Sequence, residues 1–257
     1  MYMEHSRRLE MLPQFNITVS VVSHGQSGLI NQLLDDLTCC SNVGCIVITQ
    51  NAEKEVFIIP PELENITIII ENTFPKGFGA NHNFAFSQCE TPYFCVINPD
   101  IRLPDDLFSD LLEAFKNSSI GMAAPRIISP ARGIEDSARR FPSPINILRR
   151  FLKIDGDDYK TNESQFEPQW VAGMFMLFTK DDFQRIGGFD EGFFLYCEDV
   201  DICLRLRSSG KSIIVIPNAQ AIHTAQRSSH RKLRYLKWHM QSMARLWWKY
   251  PLKLLSF

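Results

Sequence analysis

Three acids stand close together in Phe-Phe-Leu-Tyr-Cys-Glu-Asp-Val-Asp, residues 193–201: Glu198, Asp199 and Asp201. A carboxylate beside an apolar wall is poorly solvated, so its pKa rises, which suits a general base. The same acids also suit the first turn of a helix, where each offsets the macrodipole by about 0.3–1 kcal/mol. Asp201 and Arg205 are four apart and pair across one turn, which accounts for Asp201. Glu198 and Asp199 are left needing another reason. Asp100 follows an apolar run in Asn98-Pro99-Asp100. At the carboxyl end of a strand it could hold Mg2+ or Mn2+, and Asn-Pro-Asp is equally good turn chemistry. His223, near the end of a short strand, reads as a ligand or as a structural hydrogen-bonder. Gly77 and Gly79 precede a helix start, where they either let backbone N–H groups approach a phosphate or form a tight turn. Arg139, Arg140 and Arg227 offer charge stabilisation or simply a solvated face. The chain has neither GxGxxG nor GxxxxGK[ST], which disfavours a dinucleotide-binding dehydrogenase and a P-loop NTPase.

These groups need a frame. Residues 16–22, 45–49, 66–70 and 93–97 are runs rich in Val, Ile and Phe, alternating with helical patterns at 29–37 and from Gly77 onward. Such runs predict a mainly parallel central sheet covered on both faces by helices. Ligands of open α/β sheets collect beyond the carboxyl ends of the strands. The polar groups there are Ser23-His24-Gly25, Gln50-Asn51 and Asn98-Pro99-Asp100. A helix (107–116) and a strand (121–125) follow, then turn-rich and polar stretches. Residues 170–179 read as a strand, 197–210 as a helix stopped by Gly210, 212–217 and 220–224 as two short strands, and 228–250 as a helix.

Length and composition suit one large soluble α/β domain: 257 residues, 45% hydrophobic and 22% charged, with a formal net charge of -2. The charge is unevenly spread. No acid follows Asp201, whereas Arg205, Arg207, Lys211, Arg227, Arg231, Lys232, Arg234, Lys237, Arg245, Lys249 and Lys253 do. A basic tail on a near-neutral chain suggests an anionic surface, membrane or nucleic acid. Seven cysteines without a CxxC pair read as buried thiols of a reducing compartment. Residues 1–15 lack a signal-peptide core, and the longest apolar stretch, 171–178, is too short to span a bilayer. The expected location is cytoplasmic.

Taken in order, VVSHGQ, KGFGANHNFAF, CVINPDIRLP, EDSARRFPSP, WVAGMFMLF, GGFDEGFFLYCEDVDICLRLRSSG and AIHTAQRSSH resemble the family-2 inverting glycosyltransferases of bacterial surface-polysaccharide assembly, in their rhamnosyltransferase-like branch. The resemblance spans residues 17–230. It implies a GT-A nucleotide-sugar fold and metal-assisted transfer with inversion, for instance of rhamnose from dTDP-rhamnose to a lipid-linked or oligosaccharide acceptor. It implies Asp199 as base, with Glu198 orienting it or touching the acceptor. Asp100 and His223 would hold Mn2+ or Mg2+, with Asn98 where many members carry a first Asp. Trp170 and Gly173 match the acceptor stretch. Gly77, Gly79, Asn81 and Asn83 match the donor turn, beside Ser23, His24, Gly25 and Asn51. A nucleotidyltransferase, or an inactive assembly protein of the same fold, are the alternatives.

In the tail, Leu233, Leu236, Met240, Met243 and Trp247 recur at steps of three and four, while Arg234, Lys237, Gln241 and Arg245 fall on another side. The stripe either packs on the catalytic domain or, with Trp247, Trp248 and Tyr250 beside Lys249 and Lys253, meets the inner face of an anionic membrane. No nucleic-acid motif accompanies the charge. The expected division is a catalytic domain over residues 1–227 and a basic amphipathic extension over 228–257.

Overall fold

The computed structural model describes residues 16–51, 54–131, 133–143, 146, 159, 165–224, 233–251 and 253–255. The strands are β1 (Ile17–Ser23), β2 (Val43–Gln50), β3 (Thr67–Glu71), β4 (Tyr93–Ile97), β5 (Ile101–Arg102), β6 (Ile120–Ile128), β7 (Ala138–Arg139), β8 (Trp170–Val171), β9 (Phe175–Thr179) and β10 (Ser212–His223). The helices are α1 (Ser27–Leu37), α2 (Phe78–Phe86), α3 (Phe108–Ala114), α4 (Lys180–Arg185), α5 (Glu198–Ser208) and α6 (Leu233–Lys249). Eight strands form one sheet in the order β3-β2-β1-β4-β9-β6-β10-β5, and β7 pairs with β8.

All seven residues of β1 are buried, as a central strand requires; its Thr18, Ser20 and Ser23 hydroxyls are satisfied by Thr91, His82 and Glu55. One apolar layer joins Ile17, Val19 and Val21 to Leu33 and Leu34 of α1 and Phe108 and Leu111 of α3. The opposite layer joins Val47 and Phe94 to Phe183 of α4 and to Ile202, Leu204 and Leu206 of α5. Each fully buried side chain of this kind is worth about 1.5–3 kcal/mol relative to exposure.

The sheet is mixed rather than uniformly parallel. Strands β1 to β4 run parallel, β6 and β10 run parallel to each other, and β9 lies reversed between β4 and β6. That reversal brings β6 and β10 back into the direction of β4, so six carboxyl ends share one edge. Two strand readings change. Residues 170–179 divide into β8 and β9, with Gly173 in the break. Residues 212–223 are one strand with a register shift between Ile216 and Gln220. Pro217, which has no N–H to give a ladder, stands inside that irregularity.

Helix α6 packs on the catalytic layer through Ser242, Met243 and Leu246. The apolar stripe is divided between the docked and the open side: Met243 packs inward, whereas Leu236 is 59% and Met240 62% exposed, as is Trp248, off the stripe, at 83%. Arg227 and the rest of 225–232 lie outside the described residues.

Candidate active site

Helix α5 enters from two consecutive residues in the left-handed region, Tyr196 (φ 73°) and Cys197 (φ 65°). Neither is glycine, so the backbone is strained there. The turn places Glu198 and Asp199 on opposite sides of the helix start. Glu198 is 5% exposed, and its Oε2 has no hydrogen-bond partner. Asp199 is partly exposed. Its Oδ2 accepts from the Gly173 N–H at 3.2 Å and its Oδ1 from Val200 N–H at 2.8 Å. Burial and the neighbouring Asp199 push Glu198 well above the carboxylate range. Burial raises Asp199 as well, opposed by the Val200 and Gly173 N–H groups and by Arg139. Burial thus favours the protonated form at Glu198 more than at Asp199, and the pair's charge falls on Asp199, the more exposed of the two.

Gly173 lies under the ring of Phe78, where a Cβ would meet Cζ at 3.2 Å. Trp170 is buried. Its Nε1–H donates to Arg140 O at 2.8 Å, and the Arg139 guanidinium stands over its ring at 5.3 Å. Thus the β7–β8 pair and α5 assemble one wall.

Asp100 and His223 meet because β5 returns antiparallel to β10, with His223 opposite Ile101. His223 Nε2 is 3.2 Å from Asp100 Oδ2, and its Nδ1 is 2.7 Å from Glu135 Oε2. Its hydrogen bond to Asp100, helped by Glu135 and opposed by burial, raises His223 to about 9. Two ligands at right angles on a Mg2+-sized cation lie about 3 Å apart, so the Asp100–His223 separation fits a shared cation. A carboxylate on the other imidazole nitrogen is the common orienting partner of a metal-bound histidine. Asp100 Oδ1 is buried without a partner. No group of three or more His, Cys, Asp or Glu side chains arranged to hold a metal occurs among the described residues. Asn98 sits beside this pair with its backbone N–H on Met174 O and its carbonyl accepting from Ile101 N–H.

The donor-turn residues divide into two groups. Asn51 Oδ1 accepts from Asn72 Nδ2 and Lys76 N–H, both at 2.8 Å, while its Nδ2 donates to Lys76 O. Asn72 also donates to Asn81 Oδ1 at 2.7 Å. This amide network locks the loops after β2 and β3 together beside His24, which is exposed. Asn83 points elsewhere and braces Phe189 and Glu191. The two glycines admit the loop of residues 189–197 that leads into α5. A Cβ on Gly77 would lie 2.7 Å from Phe194 O, and one on Gly79 2.6 Å from Phe189 Cβ. The Phe78 N–H at the helix start donates to Phe194 O.

Asp201 does more than pair with Arg205 (2.7 Å). It is fully buried, and its Oδ1 accepts from Lys249 Nζ at 2.6 Å and Tyr250 OH at 2.8 Å. Lys249 also reaches Asp190 at 2.6 Å, as does Arg245 at 3.0 Å. Three cations of the basic tail, Arg205, Arg245 and Lys249, are thereby used inside the protein.

A family model described as glycosyl transferase family group 2 matches residues 93–254, from β4 through α6. The chain belongs to this family. The match decides for glycosyl transfer over nucleotidyl transfer. This transferase is 27% identical over 243 residues to rhamnosyltransferase WbbL of Escherichia coli K12, covering 89% of this chain and 91% of the relative. It is 29% identical over 179 residues to an N-acetylglucosaminyl-diphospho-decaprenol L-rhamnosyltransferase of Mycobacterium tuberculosis, covering 62% and 58%. Its fold matches a mannosyltransferase of Pyrobaculum calidifontis in complex with GDP-Man and Mn2+, with TM-score 0.60 and 16% identity, over 95% of this chain and 71% of the other. The transferase thus has the GT-A fold. Its sequence gave no sign of three groups that shape the site: Asn72, Glu135 and Glu55. Glu55 ties the β1–α1 turn, accepting from Ser23 Oγ at 2.5 Å, Gly25 N–H at 3.2 Å and Ser27 N–H at 2.6 Å.

Proposed function

We propose that the enzyme transfers a sugar, with inversion and metal dependence, from a nucleoside-diphosphate donor to a hydroxyl of a lipid-linked or oligosaccharide acceptor in cell-surface polysaccharide synthesis. The rhamnosyltransferase names of its relatives favour dTDP-rhamnose as donor. One observation carries the mechanism: a partly exposed Asp199 is held by two backbone N–H groups next to Glu198, which is buried with an unpartnered Oε2. Asp199 takes the acceptor proton as that oxygen attacks the anomeric carbon. Displacement in a single step inverts the centre and needs no carboxylate nucleophile. Gly173 fixes the base's orientation, and Trp170 with Arg139 walls the acceptor side. Asp100 and His223, oriented by Glu135, would hold Mn2+ or Mg2+. When bound, the cation supplies Lewis-acid stabilisation of charge on the departing diphosphate. Ser23, His24, Gly25, Gly77, Gly79, Asn81 and Asn98 would border the donor, and Asn51 and Asn83 act by bracing its loops.

Residues 228–257 act as an extension of a catalytic domain over 1–227, and its helix α6 is docked on one side and open on the other. Leu236, Met240 and Trp248, with Lys237 on the same open surface, suit the inner face of an anionic membrane. No described helix is long and apolar enough to cross one. The test is a donor screen by nucleoside-diphosphate release, with and without Mn2+ or Mg2+, followed by the anomeric configuration of the product. Fastest acceptor-dependent release from dTDP-rhamnose is expected, with inversion. Retained configuration, or turnover indifferent to metal removal, would overturn the mechanism.

A further inference from the structure

The loop leading into α5 and the start of α6 share an aromatic cluster to which no role has been given so far. Phe194 and Trp238 rings lie 4.9 Å apart, Tyr235 and Trp238 5.4 Å, and Tyr196 and His239 5.3 Å. The Arg234 guanidinium stands 4.8 Å over Trp238. Phe194 is 41% exposed, and Tyr235 and Trp238 are only partly covered. The cluster adjoins the chemistry. Tyr196 stands two residues before Glu198, and its ring meets His239 of α6, so it links the acid pair to the helix. The loop is also fixed to the helix: Ser242 Oγ donates to Leu195 O at 2.8 Å, and Cys197 Sγ lies 3.4 Å from Met243 Sδ.

Aromatic faces left uncovered beside a base suit a pyranose, whose C–H face is apolar and whose rim is polar. A planar guanidinium suits phosphate oxygens bidentately, and Lys237, exposed one turn away, adds a second cation. We propose that Phe194, Tyr196, Tyr235 and Trp238 form the acceptor subsite, stacking the terminal sugar, while Arg234 and Lys237 take the diphosphate that links it to lipid. This deepens the reading of a lipid-linked acceptor and rests on it. The site adjoins the outward face of α6 at Lys237, while Leu236 and Met240 project away from the docked side.

The probe is an N-acetylglucosaminyl diphosphate bearing a ten-carbon alkyl chain, in solution without vesicles. Trp238→Ala should raise its KM at least tenfold, and Trp238→Phe should restore it. Arg234→Ala should raise KM for the diphosphate probe and leave KM for the neutral decyl glycoside unmoved. Donor hydrolysis without acceptor, measured alongside, separates loss of folding from loss of acceptor binding. An unchanged KM in Trp238→Ala overturns the proposal. So does a KM that follows Leu236→Ser and Met240→Ser instead, which would make the helix a membrane surface only. If wild type turns over no donor, calorimetric binding of the probe decides: binding abolished by Trp238→Ala keeps the subsite and sinks the donor reading, and no binding sinks the subsite.

Discussion

Glu198 and Asp199 are adjacent acids with different fates, and conservative amides tell them apart. Glu198 is buried with an orphan oxygen and is pushed well above the carboxylate range. At neutral pH it holds a proton, so Glu198→Gln preserves both shape and charge, and turnover should stay within about tenfold. Asp199→Asn removes the base, and general-base catalysis is worth about 10²–10⁴-fold, or roughly 3–5 kcal/mol of barrier. The amide also turns an NH2 toward Gly173 N–H or Val200 N–H, costing about 1–3 kcal/mol of stability, so both variants are checked for folding by circular dichroism. Single-turnover transfer with saturating donor is the assay. The base works deprotonated, so activity falls as pH drops through the pair's raised titration, above the pKa of about 3.9 of an ordinary Asp. That acid limb should vanish in Asp199→Asn. Equal losses in the two variants would refute the assignment of the charge to Asp199.

Lys249→Met strips a partner from the buried Asp201 and should cost about 3 kcal/mol, lowering the melting temperature by roughly 6–12 °C; a shift within one degree would sink the clamp. Burial pushes Asp190 up, but hydrogen bonds from Lys249, Gly192 and Arg245 outweigh it and bring it to about 2. Its stabilisation is present above the unfolded pKa of about 4 and is lost as pH falls toward 2. Lys249→Met should flatten that acid window of a denaturant titration. Gly77→Ala should cost about 1–3 kcal/mol through the Phe194 carbonyl and slow transfer, whereas Gly28→Ala, with nothing within 4 Å, should be neutral or stabilising. Leu236→Ser with Met240→Ser and Trp248→Ser should cut sedimentation with anionic vesicles at least tenfold; unchanged sedimentation would remove the membrane from the outward face.

The sheet was legible because its strands are buried on both sides and spell continuous apolar runs. Its reversed member was not, since an antiparallel strand inside such a sheet has the same composition as its neighbours. Pro217 made one strand look like two, and Gly173 hid a break that exists to reach Asp199. Asp100 and His223 are 123 positions apart, and only the resemblance joined them. Residue spacing likewise explained Asp201 by Arg205, four residues away, and missed Lys249, because burial cannot be read from spacing. For α6 the apolar period could not say which part of the stripe packs. The helix docks by ion pairs and a few apolar contacts, Met243 of the stripe among them, and leaves Leu236 and Met240 to solvent. Glu55, Asn72 and Glu135 act through side-chain hydrogen bonds between separate loops and strands, for which a lone sequence carries no signal.

The clamp at Asp201 has a consequence for synthesis on the ribosome. Its partners Lys249 and Tyr250 follow 48 and 49 residues later. At about 5–20 residues per second, domains fold as they emerge. Until that later stretch has left the exit tunnel, a carboxylate destined for complete burial lacks two of its three partners. The helix bearing the base would then be the last part of the nascent enzyme to settle, and a chain stalled in between would expose the apolar loop before it. Pausing near residue 230 should therefore give an inactive, chaperone-binding intermediate, whereas release past Tyr250 should give activity at once.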